Sequence, residues 1–261
     1  TGSGWQWQGN WGAVSGTPVA PDVFMTAKHV GGVVGNVFVF NGVSYTTTVQ
    51  YLDPASDLAL WRVNGIFPTY APLYTGTNEI GLDAVLFGRG LRRGAEFRDT
   101  NGVLRGWGPG GDDLVRRWGE NTIEAVVSAG AFGQQLYCLF EADGGTNESH
   151  LNANDSGGGL FLNDGGTWKL AGVHFAIDGR FSSNNVTYTN ANLFDARNVW
   201  VQNSPTNVLI PDLGLPVPSG MYSTRVSSRI SFWGSVVPEP ATGLGVLVAT
   251  LAPLLRRRRG R

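Results

Sequence analysis

Asn154-Asp155-Ser156-Gly157-Gly158-Gly159 sets a serine between an acid and three glycines, and the apolar run Leu160-Phe161-Leu162 follows at once. Glycine opens backbone conformations closed to other residues and lets neighbouring groups approach closely. A serine hydroxyl is a weak nucleophile unless a base stands beside it. Alone, the stretch reads equally well as a glycine-rich hairpin turn and as a nucleophile loop. The decision rests on whether the rest of the chain supplies a base, a group to orient it, and donors for a developing oxyanion.

The base has few candidates. The 261 residues contain three histidines, His29, His150 and His174. Histidine alone titrates near neutral pH without perturbation. His29 follows the apolar run from Val23 and precedes Gly31-Gly32, which places it at a strand end facing a turn. Asp57 opens Leu58-Ala59-Leu60-Trp61. An acid at the mouth of an apolar run is half buried and needs a partner, and a histidine Nδ1–H suits it.

Composition bounds the fold. Charged residues make up only 15% and there are 38 glycines, which favours tight turns over long surface helices. Val33–Val39 and Val43–Val49 are β-branched or aromatic runs around Asn41-Gly42, a strong hairpin signal. Val85–Gly88, Thr122–Val127, Gln135–Glu141 and Trp168–Phe175 read as further strands, and the basic, glycine-rich stretch 89–118 as a long surface hairpin. Leu193, Ala196, Val199 and Trp200 recur at helical spacing and predict a helix over 193–202. Many short strands and one late helix indicate an all-β barrel or sandwich.

Charge and cysteine content exclude several functions. The net charge is −1, but five of the 19 basic residues lie in Arg256–Arg261, so the body is mildly acidic and has no footprint for nucleic acid. The single cysteine, Cys138, rules out an internal disulfide and a cysteine-based metal site, and it sits in a strand-like run as a core residue.

Three motifs together carry a resemblance. Thr26-Ala27-Lys28-His29, Asp57-Leu58-Ala59-Leu60 and Asn154-Asp155-Ser156-Gly157-Gly158 resemble the segments around the histidine, aspartate and serine of the trypsin/chymotrypsin-like serine proteases, in that family's order. The resemblance covers about residues 10–203 and points to a bacterial, disulfide-free branch, because Val30 stands where many relatives have cysteine. It implies two six-stranded β-barrels flanking the active site, divided between about 70 and 120, and a C-terminal helix at 193–202. It implies serine endopeptidase activity on a protein or peptide substrate, with no cofactor and no metal. Ser156 would attack, His29 would act as base and then acid, and Asp57 would orient His29. The backbone N–H groups of Asn154 and Ser156 would form the oxyanion hole.

Two departures stand out. Asn154 replaces the family's glycine in the oxyanion loop. Thr1-Gly2-Ser3-Gly4 does not match the family's activating N-terminus, so Asp155 is expected to have another partner. His174, on Leu170–His174, is similar to the pocket histidine of glutamate-specific bacterial relatives, and His150 falls where trypsin has its pocket aspartate. Both are expected to bind substrate, with an acidic side chain favoured through a charge-assisted hydrogen bond. The alternative to an enzyme is a protease-fold surface binding protein with weak or no turnover.

Residues 204–237 read as a Pro- and Ser-rich extension ending in a final strand, since Tyr222, Thr224, Val226, Ser228, Ile230 and Phe232 alternate with polar or charged neighbours. Residues 238–261 combine Pro238-Glu239-Pro240, an apolar run and terminal arginines. This resembles a PEP-CTERM sorting signal, implying a short membrane helix, an exosortase-type sorting enzyme as partner, and export to the envelope or exterior of a Gram-negative-type bacterium. The run 243–255 is shorter than the about 20 residues a spanning helix needs, and removal of the segment by the sorting enzyme would make anchoring transient.

Overall fold

The computed structural model describes residues 2–237. Its first half is built outward from the Asn41-Gly42 turn, where both residues adopt positive φ (50° and 77°) as a two-residue hairpin turn requires. The strands are β1 (Gly9–Trp11), β2 (Val14–Ala20), β3 (Val23–Ala27), β4 (Val37–Phe40), β5 (Val43–Leu52) and β6 (Leu58–Asn64). They close into a barrel in the order β1-β2-β3-β6-β5-β4, with β1 pairing back onto β4. Trp11, Phe24, Phe38, Phe40, Trp61 and Phe67 fill the barrel. Each such side chain contributes about 1.5–3 kcal/mol by leaving water. β3 is buried along its whole length because its other face, Val23, Met25 and Ala27, packs against the second half of the molecule. Strands covered on both faces read as unbroken apolar runs rather than alternating ones.

The chain leaves the barrel after Asn64 and enters β7 (Asp83–Gly88). The basic stretch that follows is a hairpin, β8 (Arg93–Arg98) and β9 (Leu104–Pro109), as the sequence suggests. Then come β10 (Arg117–Thr122), β11 (Ala125–Ser128), β12 (Gln134–Leu139), β13 (Gly159–Asp164) and β14 (Thr167–Ile177). Four two-residue strands follow: β15 (Phe181–Ser182), β16 (Asn192–Leu193), β17 (Trp200–Val201) and β18 (Val208–Leu209). The last elements are β19 (Gly220–Arg225) and a seven-residue helix, α1 (Ile230–Val236).

β10-β7-β13-β14-β19-β12-β11 form one antiparallel sheet of seven strands. The second closed six-stranded barrel expected from the sequence is replaced by this sheet. Its edge strands β10 and β11 are consecutive in the chain, joined by Ile123-Glu124. The Ile123 amide turns to Leu82 and the Glu124 amide to Tyr137, so no ladder forms between the two edges. Leu86, Ile123, Leu136, Cys138, Leu160, Leu162 and Met221 make the core on one face of the sheet. Burial pushes the Cys138 thiol up to about 12, so it is an inert core group, as its strand context indicates.

The helix expected at 193–202 is absent. Leu193, Ala196 and Val199 are buried as their spacing requires, but they pack with Phe97 and Phe181 from short bridging strands. Asp195 accepts amide hydrogens from Arg197 and Val217 and binds Arg105 and Arg197. Asn198 takes a φ of 60°. Side chains that serve backbone donors in this way compete with helix. The C-terminal helix lies later, at α1, and residues 204–237 are more than an extension: β19 sits in the interior of the sheet between β14 and β12.

Both ends of the described chain cross to the opposite half. Gln8 donates to Thr17 Oγ1 in the barrel (3.0 Å) and accepts from the Gly159 amide (3.2 Å), while Trp7 stacks on Phe161. At the other end α1 packs against the barrel, where Arg62 binds Asp22 and the Val236 carbonyl. Among the described residues no helix is long and apolar enough to cross a membrane. Pro238, Glu239, Pro240 and the expected membrane helix lie outside the described residues.

Candidate active site

The barrel ladder brings the first two site residues together. β3 and β6 pair with Ala27 opposite Leu58, so the residues just outside each strand end, at 28 and 57, must meet. The Lys28 amide donates to the Asp57 carbonyl (2.7 Å). After Ala27 the chain makes a single 3₁₀ turn, Lys28–Val30, which ends at Gly31 with a φ of 69°. This turn swings His29 over Asp57. Asp57 Oδ1 accepts the His29 amide (3.0 Å), and Oδ2 lies 2.6 Å from His29 Nδ1. Asp57 is buried and His29 is open to solvent. A buried carboxylate needs such partners, and with the proton on Nδ1 it fixes the imidazole tautomer.

That tautomer leaves Nε2 as an acceptor, and it lies 2.8 Å from Ser156 Oγ. Three residues far apart in sequence thus form one hydrogen-bonded chain from a buried acid to an accessible hydroxyl. Phe175 stands edge-on to the His29 ring at 5.8 Å and walls one side of the cleft.

The glycines after Ser156 are there for space. A Cβ on Gly157, whose φ is 77°, would lie 2.2 Å from Thr26 Oγ1 and 2.3 Å from the Ser15 carbonyl. One on Gly158 would lie 2.1 Å from the Phe87 carbonyl, and one on Gly159 would strike Phe161 and Leu170. The loop is therefore pressed against both halves of the molecule. The Gly157 amide donates to the His174 carbonyl, and the Gly158 amide to the Asp155 carbonyl. The amides of Asn154 and Ser156 donate to no protein acceptor among the described residues. They are the two amides for which the resemblance implies an oxyanion hole. Asn154 has a φ of 72°, a left-handed conformation that asparagine tolerates better than most residues.

Asp155 has internal partners, as expected. Its carboxylate accepts the amides of Gly90 and Asn152, each at 2.7 Å. Gly88 and Gly90 have no side chain because a Cβ on either would collide with this carboxylate or the adjoining backbone. Burial raises its pKa to about 6, against the pull of those amides and of Arg117.

The two pocket histidines are separated. A cleft of about 140 Å³ beside Ser156 is lined by Leu151, Asn152, His174, Phe175 and Ile177. His174 is fully buried, its Nδ1 lies 2.9 Å from Ser223 Oγ, and burial pushes its pKa down to about 3. The ring is therefore neutral at ordinary pH, and the charge-assisted bond expected for an acidic substrate has no charge to draw on. His150 lies outside that cleft. It lines a larger cavity of about 530 Å³ behind Asp155, together with Trp107, Phe140, Glu148 and Phe194. It turns Nδ1 to the Leu151 carbonyl (2.7 Å) and sits edge-on to Phe140. Gly88, Gly90, Ser223 and Gln8 have no local sequence signal that would reveal their part in the site. Among the described residues no group of three or more His, Cys, Asp or Glu is placed to hold a metal ion.

No protein-family model matches the chain, and no characterised protein matches it in sequence.

Proposed function

We propose that the chain is a serine endopeptidase of the trypsin/chymotrypsin type, with the seven-stranded sheet as the counterpart of that family's second barrel. The observation that carries the reading is the linear relay Asp57–His29–Ser156 at 2.6 and 2.8 Å, ending beside a cleft and two unpaired amides. Ser156 Oγ attacks a substrate carbonyl carbon while His29 Nε2 takes its proton. The carbonyl oxygen becomes an oxyanion held by the Asn154 and Ser156 amides. His29 then returns the proton to the leaving amine, which departs and leaves an ester on Ser156. Water repeats the cycle and releases the acid. Asp57 keeps Nδ1 protonated and stabilises the imidazolium, and each oxyanion donor contributes about 3 kcal/mol to the transition state.

The decisive experiment is labelling with a fluorophosphonate. The wild-type chain reacts and Ser156→Ala does not. Equal or absent labelling in both would leave a protease-fold binding protein as the better reading. Comparing ester and peptide substrates on the labelled enzyme then separates an esterase from a peptidase. The tail beyond 237 supports export and sorting, with cleavage before the terminal arginines by an exosortase-type enzyme. Intact mass of the protein recovered from cells is expected to lack Arg256–Arg261, and their retention overturns this.

A further inference from the structure

The triad aspartate sits at the end of a tight turn, and that turn is organised around a second buried acid. Asp53 is fully buried. Its Oδ1 accepts the Ala55 amide (2.9 Å) and its Oδ2 the Ser56 hydroxyl (2.7 Å). Ser56 Oγ in turn accepts the Leu58 amide (3.2 Å), and the Asp53 amide donates to the Leu58 carbonyl (3.0 Å). Asp57 is thus enclosed by a ring of bonds that begins and ends on Asp53. The catalytic histidine's neighbour joins the same residue: Lys28 Nζ donates to the Asp53 carbonyl at 2.7 Å.

The charge on Asp53 is balanced from far along the chain. Arg229, immediately before α1, places Nε 2.6 Å from Oδ2 and a terminal nitrogen 2.6 Å from Oδ1. This two-pronged geometry fixes orientation as well as charge. Burial pushes the Asp53 carboxyl up, but Arg229, the Ala55 amide and Ser56 together hold it below the usual range. Asp53 touches no reacting group, so any effect it has on chemistry must pass through Asp57 and His29.

We infer that Asp53 and Arg229 are positioning residues of the triad, by which the last helix sets the place of Asp57 under His29. The inference rests on the hydrolase reading above. A neighbouring pair offers a control for ordinary structural effects. Arg225, four residues earlier, forms a buried two-pronged bond with Glu79 (2.8 and 2.7 Å) and makes no hydrogen bond to the triad turn.

The test measures the saturating rate and the half-saturation constant of fluorophosphonate labelling at 25 °C, with thermal midpoints recorded for every variant. Arg229→Gln is expected to lower the saturating rate about tenfold to a hundredfold, as misplacement of a catalytic group by roughly 1 Å does, with half-saturation unchanged. Arg229→Lys, which keeps the charge and loses the fork, is expected to recover most of that rate, and it serves alone if the glutamine variant does not fold. Arg225→Gln is expected to lower the thermal midpoint and leave the labelling rate unchanged. If the Arg229 variants lose thermal stability but label like wild type, or if Arg225→Gln slows labelling equally, the positioning role is overturned. If wild-type labelling itself is absent, the hydrolase reading falls and this inference with it.

Discussion

Asn154 shows how one residue satisfies two demands. Its φ of 72° suits glycine, and under the proposed function its amide must stay unpaired for a ligand oxygen. Asparagine meets both, because its short polar side chain tolerates the left-handed region and here reaches Asp112 at 3.4 Å. Asn154→Gly is therefore expected to label with fluorophosphonate within about threefold of wild type. Asn154→Val places a β-branched side chain where it costs on the order of 1–2 kcal/mol and displaces the amide. Its labelling rate is expected to fall more than about tenfold, in line with losing an oxyanion donor. Equal rates in the two variants would show that the backbone at this position does not contribute. His174 gives the complementary lesson. Its type and position in the sequence suggest a cation for an acidic side chain, but burial leaves it neutral. What it offers the cleft is a ring bonded to Ser223, and no sequence pattern reveals burial of that degree.

At the scale of the element, the geometry of the candidate site was legible where it depends on where a strand stops. His29 and Asp57 stand just outside β3 and β6, and Ser156 lies three residues before β13, so apolar runs and turns mark these places, while the family resemblance singled out the three residues. The barrel was legible for the same reason, down to the Asn41-Gly42 turn. The misreadings come from tertiary context. Leu193, Ala196 and Val199 have helical spacing and are buried, but the intervening Asp195 and Asn198 spend their side chains or backbone on other partners. The alternation from Tyr222 correctly marks β19 and then runs on into Ile230–Val236, a helix too short for its periodicity to register. The closing of the second half could not be read at all, because it depends on amides at 123 and 124 turning to opposite partners. A consequence follows for truncation. β19 separates β14 from β12, so a chain ending at residue 203 loses an interior strand and exposes both neighbours. Such a chain is expected to show no cooperative thermal unfolding, whereas a chain ending at 237 unfolds in one transition. Cooperative unfolding of the shorter chain would contradict the sheet order.

Among the described residues, two partly buried carboxyls are raised above the usual carboxylate range. Burial raises Glu148 to about 7, with Glu141 and Asp143 adding to the shift, and Asp155 to about 6. Both values lie above those of an unfolded chain, so the folded state holds protons that the unfolded state releases from about pH 4 upward. Stability from these groups is present at low pH and is lost as pH rises through 6 and 7. Glu148→Gln keeps an acceptor for Asn121 and the Glu141 amide without the buried charge. It is expected to match wild type at pH 4 and to exceed it at pH 8 by about 1–2 kcal/mol, after allowance for water at its open side. Thermal melts at the two pH values check this, and a variant less stable than wild type at pH 8 would reverse the sign.

The crossing of each chain end to the opposite half has a bearing on synthesis. Ser156, His29 and Asp57 all leave the ribosome before residue 220. Until then β14 has no neighbour on its far side, and until residue 229 follows, Asp53 is an acid without its arginine. A nascent or prematurely terminated chain would hold His29 over Asp57 through the β3–β6 ladder, but the sheet that carries the Ser156 loop would lack β19. Under the proposed function, the cell would be protected from an unfinished hydrolase by the order in which its parts are made.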